Sequence, residues 1–399
     1  MSFVGLVIVS AVAFTAPLLL DLLPKFRLPA IVLEILAGIA IGPAGLGLVE
    51  VDQPIRVMSV IGLSFLLFLA GLELEVKLLR GRRLRLTIVG FVVSVTIAYS
   101  IGLVMHAAGM VQSTLLVAVI LSGTALGIIT PVLKDAGELT TEFGQTVFAG
   151  STIAEFGTIL LLSLFFSRQA NDPAAKIVLA SSFVVLTIVL VVAMTTAEKS
   201  TRLGEALLRL QDTTAQIRIR GAFLLLAAFA ALASQLGLEA ILGAFVAGAL
   251  LAVLDPDYKK THPKFHDKLE AIGFGVFIPV FFVSSGIQFD LQALFADSST
   301  VARVPLFLLV LLAVRGLPAL VYRPLMTGPQ IVVAALLQST SLPFIVAATS
   351  IGVELGVLTK TNASALIAAG LLSVVIFPMV ALARLRRAAP QAVPARVEA

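Results

Sequence analysis

The sequence predicts an all-α polytopic membrane protein of about 13 transmembrane helices, arranged as two inverted repeats that each contain a broken, crossing helix. Three observations support this fold class. The chain is 59% hydrophobic and only 13% charged, with a mean hydropathy of +1.08, whereas soluble chains are roughly half apolar and a quarter charged. Its apolar residues form continuous runs separated by short charged loops, and two pairs of similar strings recur at nearly the same offset.

The apolar runs are long enough for helices to cross the roughly 30 Å hydrocarbon core of a bilayer. They are continuous rather than alternating between apolar and polar residues, which argues against the strands of a membrane barrel. The predicted spans cover, in order, residues 2–23, 28–49, 54–74, 86–105, 112–133, 144–166, 175–196, 218–236, 237–254, 272–291, 299–322, 329–352 and 362–385. The connector 197–220 has leucines on one helical face and predicts a helix on the membrane surface.

The charges of the loops predict the orientation. An odd number of spans places the two termini on opposite sides of the membrane. Most of the 28 Lys and Arg residues lie in loops on the side of the carboxyl terminus, and basic loops stay cytoplasmic. We therefore expect the amino terminus outside, the carboxyl terminus in the cytoplasm, and a location in the plasma membrane, which is the inner membrane of a bacterium.

Two pairs of similar strings indicate an internal repeat. The string "GLELEVKLL" from Gly71 matches "GIQFDLQAL" from Gly286, and "LSGTALGII" from Leu121 matches "LQSTSLPFI" from Leu337. Spans 1–6 and 8–13 are therefore predicted repeats. Seven helices separate equivalent positions, so each pair runs in opposite directions through the bilayer. Inverted repeats are typical of secondary transporters, which bind their substrates near the midplane where the repeats meet.

The second pair of strings carries helix-weakening residues at mid-span, with Gly123, Gly127 and Pro131 in the fifth span and Pro343 in the twelfth. An interrupted helix survives in lipid only where its freed backbone groups line a cavity or find partners. Two interruptions at matching positions predict one shared cavity. The supporting hydroxyls in these strings are Thr124, Ser339, Thr340 and Ser341. The alternative is that small residues at mid-span merely permit close helix packing.

Three charged residues lie well inside predicted spans, more than five residues from either end. Glu155 lies near the middle of the sixth span, and an ionised carboxylate there is costly unless it is paired, protonated or bound to a cation. We interpret Glu155 as the ion- and proton-binding residue. Arg315 in the eleventh span either neutralises the carbonyl ends of a broken helix or balances Glu155. Glu34 in the second span is shallower and serves either polar packing or a cytoplasmic funnel.

Other residues indicate what the protein does not do. The absence of cysteine excludes disulfides and thiolate metal sites, and no protease, phosphate-binding or Ser/His/Asp motif occurs. We expect neither an enzyme nor a cofactor. The basic residues are scattered between spans rather than gathered in one patch, so nucleic acid is not an expected partner. Glu73, Glu75 and Asp290 end the third and tenth spans, where helix caps and loop contacts are favoured over transport.

Six strings, in order along nearly the whole chain, carry a family resemblance. They are "LPAIVLEILAGIAIGPAGLGLV", "FLLFLAGLELEVKLL", "LSGTALGIITPVLKDAGEL", "LGAFVAGALLA", "FFVSSGIQFDLQAL" and "LLQSTSLPFIVAATSIG". The sequence resembles monovalent cation:proton antiporters, in the branch that contains Kef-type potassium efflux systems and bacterial Na⁺/H⁺ exchangers. The resemblance implies the Na⁺/H⁺ antiporter fold, in which a sixth-span acid lies beside crossed fifth and twelfth helices. The sequence departs from the family pattern at Ala154 and Glu155, where the family usually has an aspartate preceded by a polar residue.

The resemblance also implies a core domain that moves like an elevator against a dimerisation domain, and hence a homodimer. The expected division is dimerisation-domain spans at 1–85 and 218–296, core-domain spans at 86–170 and 297–388, a linker span and surface helix at 171–217, and a cytoplasmic tail at 389–399.

These observations favour a secondary transporter that exchanges Na⁺, or alternatively K⁺ or Li⁺, for H⁺. Cation and proton would compete for Glu155. Exchange is expected to be electroneutral, because Ala154 cannot titrate and a guanidinium such as Arg315 does not deprotonate in proteins. Two alternatives remain open: a channel-like potassium efflux protein and a Na⁺-coupled symporter of organic anions with a related fold.

Overall fold

The computed structural model describes residues 3–22, 29–73, 81–166, 181, 216–236, 238–254, 263–295 and 298–388. Every regular element within these ranges is helical. The α-helices are α1 (Val4–Leu22), α2 (Ala30–Ile41), α3 (Gln53–Leu72), α4 (Gly81–Ala107), α5 (Thr114–Ser122), α6 (Leu126–Asp135), α7 (Glu142–Phe165), α8 (Ile217–Gln235), α9 (Ala240–Leu254), α10 (Pro263–Ile272), α11 (Ile278–Ile287), α12 (Leu291–Phe295), α13 (Ser298–Gly316), α14 (Gly328–Gln338), α15 (Pro343–Glu354) and α16 (Lys360–Ala388). A π-helical turn, Gly273–Phe277, joins α10 to α11, and a 3₁₀ segment, Leu317–Tyr322, extends α13.

The helices agree with the predicted spans. In the described part of the chain, 8 helical segments are long and apolar enough to cross a membrane, and four shorter apolar helices accompany them. These twelve segments coincide with twelve of the 13 predicted spans. The seventh predicted span at 175–196, most of the predicted surface helix at 197–220 and the tail at 389–399 lie outside the described residues.

Short polar residues set several helix starts. Asp52 accepts the Ile55 N–H at the start of α3, and Ser113 accepts the Leu116 N–H at the start of α5. Each side chain satisfies one of the amide groups that have no partner within the helix. The apolar runs alone do not define where a helix begins. These caps explain why α3 and α5 begin at defined positions.

Helices α1, α2, α3, α8, α9, α10 and α11 pack together in a first bundle. Glycines bring its backbones into contact. A Cβ at Gly71 on α3 would overlap the Phe245 carbonyl on α9, and a Cβ at Gly248 on α9 would overlap the Phe68 carbonyl on α3. Gly38 on α2 meets α11 in the same way. Close backbone approach through small residues is how helices associate without a hydrophobic driving force.

Helices α4 to α7 and α13 to α16 form a second bundle. It contains both interrupted helices, α5/α6 and α14/α15. A buried hydrogen bond from the Ser94 hydroxyl to the Val314 carbonyl, at 2.8 Å, joins α4 to α13 within it.

The two bundles meet along α7 and α9. The rings of Phe156 on α7 and Phe245 on α9 stack with centroids 5.4 Å apart. Nearer the carboxyl end of α7, the buried Ser163 hydroxyl accepts the backbone N–H of Glu239, which immediately precedes α9, at 3.0 Å. Both contacts lie on the carboxyl-terminal side of Glu155.

Candidate functional site

The first interruption separates α5 from α6. Helix α5 ends at Ser122, residues 123–125 are non-helical with extended backbone at Gly123, and α6 begins at Leu126. Gly127 and Pro131, which the sequence also suggested as weak points, lie within α6. The break therefore occurs at Gly123, the first of the three predicted helix-weakening residues.

The second interruption separates α14 from α15 at residues 339–342. Helix α15 begins at Pro343, where proline is favoured because its missing N–H would have no helical partner. The Ser339 hydroxyl donates to the Ala335 carbonyl at 2.7 Å, and the Thr340 hydroxyl to the Leu336 carbonyl at 3.4 Å. These bonds satisfy carbonyl groups at the carboxyl end of α14.

The two interruptions cross and bond to one another. The Ala125 N–H donates to the Thr340 carbonyl at 2.8 Å, and the Thr124 hydroxyl donates to the Gln338 carbonyl at 2.7 Å. All four supporting residues predicted from sequence are fully buried at this crossing; they are Thr124, Ser339, Thr340 and Ser341. The broken-helix interpretation therefore describes the geometry better than simple close packing does.

Glu155 lies beside the start of α6. Its side chain is 8% exposed, and Oε2 accepts the Leu126 N–H at 3.2 Å. Ala125 provides no side-chain cap for α6, so the carboxylate of Glu155 takes that place from another helix. The amino end of a helix carries partial positive charge, which favours an anionic group there.

Arg315 lies on the other side of Thr124. It is 1% exposed, and its Nε donates to the Thr124 hydroxyl at 2.7 Å, which in turn donates to the Gln338 carbonyl. Arg315 thus places its guanidinium near the carboxyl end of α14. The part of the chain that the structure describes shows no ion pair between Arg315 and Glu155.

Comparison with known proteins identifies the family. Residues 10–382 match the profile of the transmembrane sodium/hydrogen exchanger family. The chain belongs to this family.

Individual relatives agree with the exchanger family. The chain is 30% identical over 397 residues to the putative Na⁺/H⁺ antiporter YjbQ of Bacillus subtilis, covering 95% of this chain and 62% of that protein's length. It is 26% identical over 379 residues to the probable Na⁺/H⁺ antiporter 3 of Methanocaldococcus jannaschii, covering 94% of each. The fold matches that of the sodium proton antiporter MjNhaP1 from the same archaeon at pH 8, with a TM-score of 0.69 at 19% identity, over 96% of this chain and 98% of that one.

Glu34 lies away from the crossing of the two interrupted helices. It lies on α2 in the first bundle and is 5% exposed. No other described residue forms a hydrogen bond or an ion pair with its carboxylate. In this conformation Glu34 is enclosed within the bundle.

The sequence predicted a cap or loop contact for Glu73, but the fold brings its carboxylate near the site. Glu73 follows the last residue of α3 as its C-cap, as expected for a span end, yet its charge also acts on Glu155. Helix α3 packs closely on α9, and α9 packs on α7, which brings Glu73 near Glu155. The repeated acidic string after Gly71 was the available signal, but sequence spacing does not indicate which bundle face an end residue meets.

Three further polar residues meet the crossing, and the sequence predicted no role for any of them. The Ser373 hydroxyl on α16 accepts the Ser341 N–H at 3.1 Å and donates to the Ser341 carbonyl at 3.2 Å, which ties the second interruption to α16. Gln338 and Tyr322, both buried, share a hydrogen bond at 3.4 Å. Single polar residues within apolar runs are common, so only their contacts reveal a role.

Proposed function

We propose that this chain is a secondary active transporter that exchanges a monovalent cation for H⁺ by alternating access. Na⁺ is the first candidate cation, with K⁺ and Li⁺ as alternatives. The observation that carries the proposal is the buried carboxylate of Glu155 at the amino end of the interrupted helix α6, beside the crossing. The names of the relatives and the family profile support the same exchange.

Glu155 is the group for which cation and proton compete. An ionised carboxylate costs several kcal/mol at membrane depth unless a partner neutralises it. Binding either a proton or a cation removes that cost, and the neutral site then crosses the apolar barrier between the bundles. Competition also predicts that the apparent KM for Na⁺ rises as the pH falls, because more of the carboxylate holds a proton.

The crossing provides oxygen atoms for a cation. Interrupted helices free backbone carbonyls near the midplane, and such carbonyls, together with the carboxyl ends of half-helices, coordinate Na⁺ in transporters. Thr124, Ser339, Thr340 and Ser341 are supporting residues at this crossing. We propose that they hold the linkers in place while Glu155 supplies the negative charge.

One acid shared between one cation and one proton gives electroneutral exchange. Ala154, beside Glu155, cannot titrate, and the guanidinium of Arg315 keeps its proton. Glu73 acts on Glu155 as a second negative charge near the site. Electroneutral exchange requires that Glu73 neither gains nor loses a proton during the cycle.

The proposed assembly is a homodimer in the plasma membrane, the inner membrane of a bacterium, with the amino terminus outside. The first bundle corresponds to the dimerisation domain, predicted at 1–85 and 218–296. The second bundle corresponds to the moving core domain, predicted at 86–170 and 297–388. Among the described helices, α7 and α9 make the main contact between the two bundles. This supports the division, because a narrow contact allows the bundles to shift against each other.

The test uses proteoliposomes that enclose a pH-sensitive dye. Exchange predicts proton movement when NaCl or KCl is added outside in the absence of organic solute. A channel would instead carry cation current that charges the membrane, and an organic anion symporter would give no response. Glu155→Gln should abolish proton movement while the protein stays folded, because glutamine keeps the shape and an oxygen for the Leu126 N–H but cannot ionise. Proton movement at the wild-type rate in Glu155→Gln would refute the assignment.

A further inference from the structure

Tyr322 and Gln338 form a buried polar pair that the proposed exchange leaves without a role. Tyr322 is 2% exposed and ends the 3₁₀ segment that extends α13. Gln338 is fully buried and is the last residue of α14. The amide Nε2 of Gln338 donates to the Tyr322 hydroxyl at 3.4 Å. Neither residue lies on α7, yet both reach it.

Two glycines make the space that this pair occupies. A Cβ at Gly90 on α4 would lie 3.0 Å from the Tyr322 hydroxyl. A Cβ at Gly150 on α7 would lie 2.7 Å from the same hydroxyl and would overlap the Gln338 amide. The pair therefore lies directly against the backbone of α7, five residues before Glu155, which corresponds to about 7.5 Å along the helix axis.

The pair also belongs to a hydrogen-bond network that runs through the crossing. Arg315 donates to Thr124, and Thr124 donates to the Gln338 carbonyl, both at 2.7 Å. The side chain of Gln338 then reaches Tyr322, which lies two turns beyond Arg315 on the same helical segment. One buried network thus fixes α13, the linker between α5 and α6, and the end of α14 against α7.

We propose that Tyr322 and Gln338 are positioning residues for exchange. They hold the carboxyl end of α14, and with it Thr124 and Arg315, at a fixed distance from the turn of α7 that precedes Glu155. Neither side chain contacts the cation. They set the positions of the backbone carbonyl oxygens that do, and small displacements of binding groups are costly in a site of this kind. This inference rests on the proposed exchange at Glu155.

The test compares sodium-driven proton flux, over a range of Na⁺ concentrations, for the wild type, Tyr322→Phe and Tyr99→Phe. Tyr322→Phe removes only the hydroxyl, so the ring packing stays and the helix ends lose one anchor. The apparent KM for Na⁺ should rise about threefold or more, as expected for loss of one buried hydrogen bond, while the maximal rate stays within about twofold. Tyr99, which is 43% exposed on α4, is the matched control, and its variant should behave as the wild type.

A second variant keeps the inference testable through a different residue. Gly150→Ala places a methyl group where the pair lies and should also raise the KM. Because both changes damage the same pair, the double variant Gly150→Ala with Tyr322→Phe should be no worse than Gly150→Ala alone. Effects that multiply would contradict a shared pair.

The outcomes separate this inference from the proposed function. An unchanged KM in Tyr322→Phe, or a lower maximal rate at unchanged KM, would reduce the pair to a structural contact and overturn the positioning role. Wild-type protein without any cation-dependent proton flux would remove the proposed exchange, and this inference with it. Normal exchange in the wild type and Tyr99→Phe, with raised KM in Tyr322→Phe alone, supports the positioning role.

Discussion

The carboxylate of Glu155 accepts the backbone N–H of Leu126 at 3.2 Å, across 29 residues of sequence. A residue of α7 therefore caps the interrupted helix α6, whose own preceding residue, Ala125, provides no cap. Aspartate is the shorter acid and would leave this amide out of reach from the same backbone position. The extra methylene of glutamate thus has a structural use at this site.

Glu155→Asp should retain exchange at a reduced rate and with an altered apparent KM for Na⁺. The charge remains, but the side chain no longer reaches the Leu126 N–H, so the cap and its favourable interaction with the helix end are lost. We expect a loss of about 1 kcal/mol in stability. Flux assays and thermal melting in detergent measure the two effects. Wild-type KM together with wild-type melting temperature would show that the contact with Leu126 is dispensable.

Arg315→Ala should lower the thermal stability more than Arg315→Lys does. Alanine leaves Thr124 without its donor and the carboxyl end of α14 without a nearby positive charge, at a cost of about 2 kcal/mol. Lysine keeps the charge but loses the planar fork of donors. Arg56→Ala is the matched control, because Arg56 is an exposed arginine near the start of α3. Equal melting temperatures for all four proteins would contradict the buried role of Arg315.

Exchange should be insensitive to membrane potential. One carboxylate shared by one cation and one proton moves no net charge in a cycle. The measurement imposes a potential of either polarity with potassium and valinomycin across proteoliposomes, and compares sodium-driven proton fluxes. Fluxes that differ severalfold between polarities would require a second titrating group, for which Glu73 and Glu34 are the nearest candidates.

Linking the two bundles should stop exchange reversibly. The chain contains no cysteine, so Ser163→Cys with Glu239→Cys provides the only thiols, at a contact between α7 and the start of α9. A short bis-methanethiosulfonate crosslinker, which joins the two thiols through disulfide bonds, should block proton flux, because the core cannot move against a bundle to which it is tied. Reduction cleaves these disulfides and should restore the flux.

The matched control for that crosslink lies within one bundle. Arg303 on α13 donates to Asn362 on α16 at 2.7 Å, so Arg303→Cys with Asn362→Cys joins two helices that move together. This pair should crosslink without stopping exchange. Full exchange in the crosslinked Ser163 and Glu239 pair would rule out relative motion along the seam.

The sequence was sufficient to predict most of the helices and the two interruptions, for a physical reason. In lipid, an apolar run that is long enough to cross the bilayer forms a helix, because its backbone groups have no water to bond. Twelve predicted spans therefore coincide with helices. Gly123 and Pro343 marked the two interruptions because backbone breaks need such residues. The positions of Glu73, Gln338 and Tyr322 were not predictable, because their roles depend on which neighbouring helix each side chain meets. Only tertiary packing determines that.

The glycine contacts between α3 and α9 have a consequence for how this protein tolerates change. Each helix presents a glycine to a carbonyl of the other, Gly71 to Phe245 and Gly248 to Phe68, so no layer of side chains lies between them. Side-chain layers absorb substitutions by repacking, whereas touching backbones cannot. Even a methyl group at either glycine should therefore displace a whole helix, and with it the surface against which Phe156 and Ser163 rest. Main-chain contacts therefore fix the packing of α3 on α9 beside the α7 helix that carries Glu155.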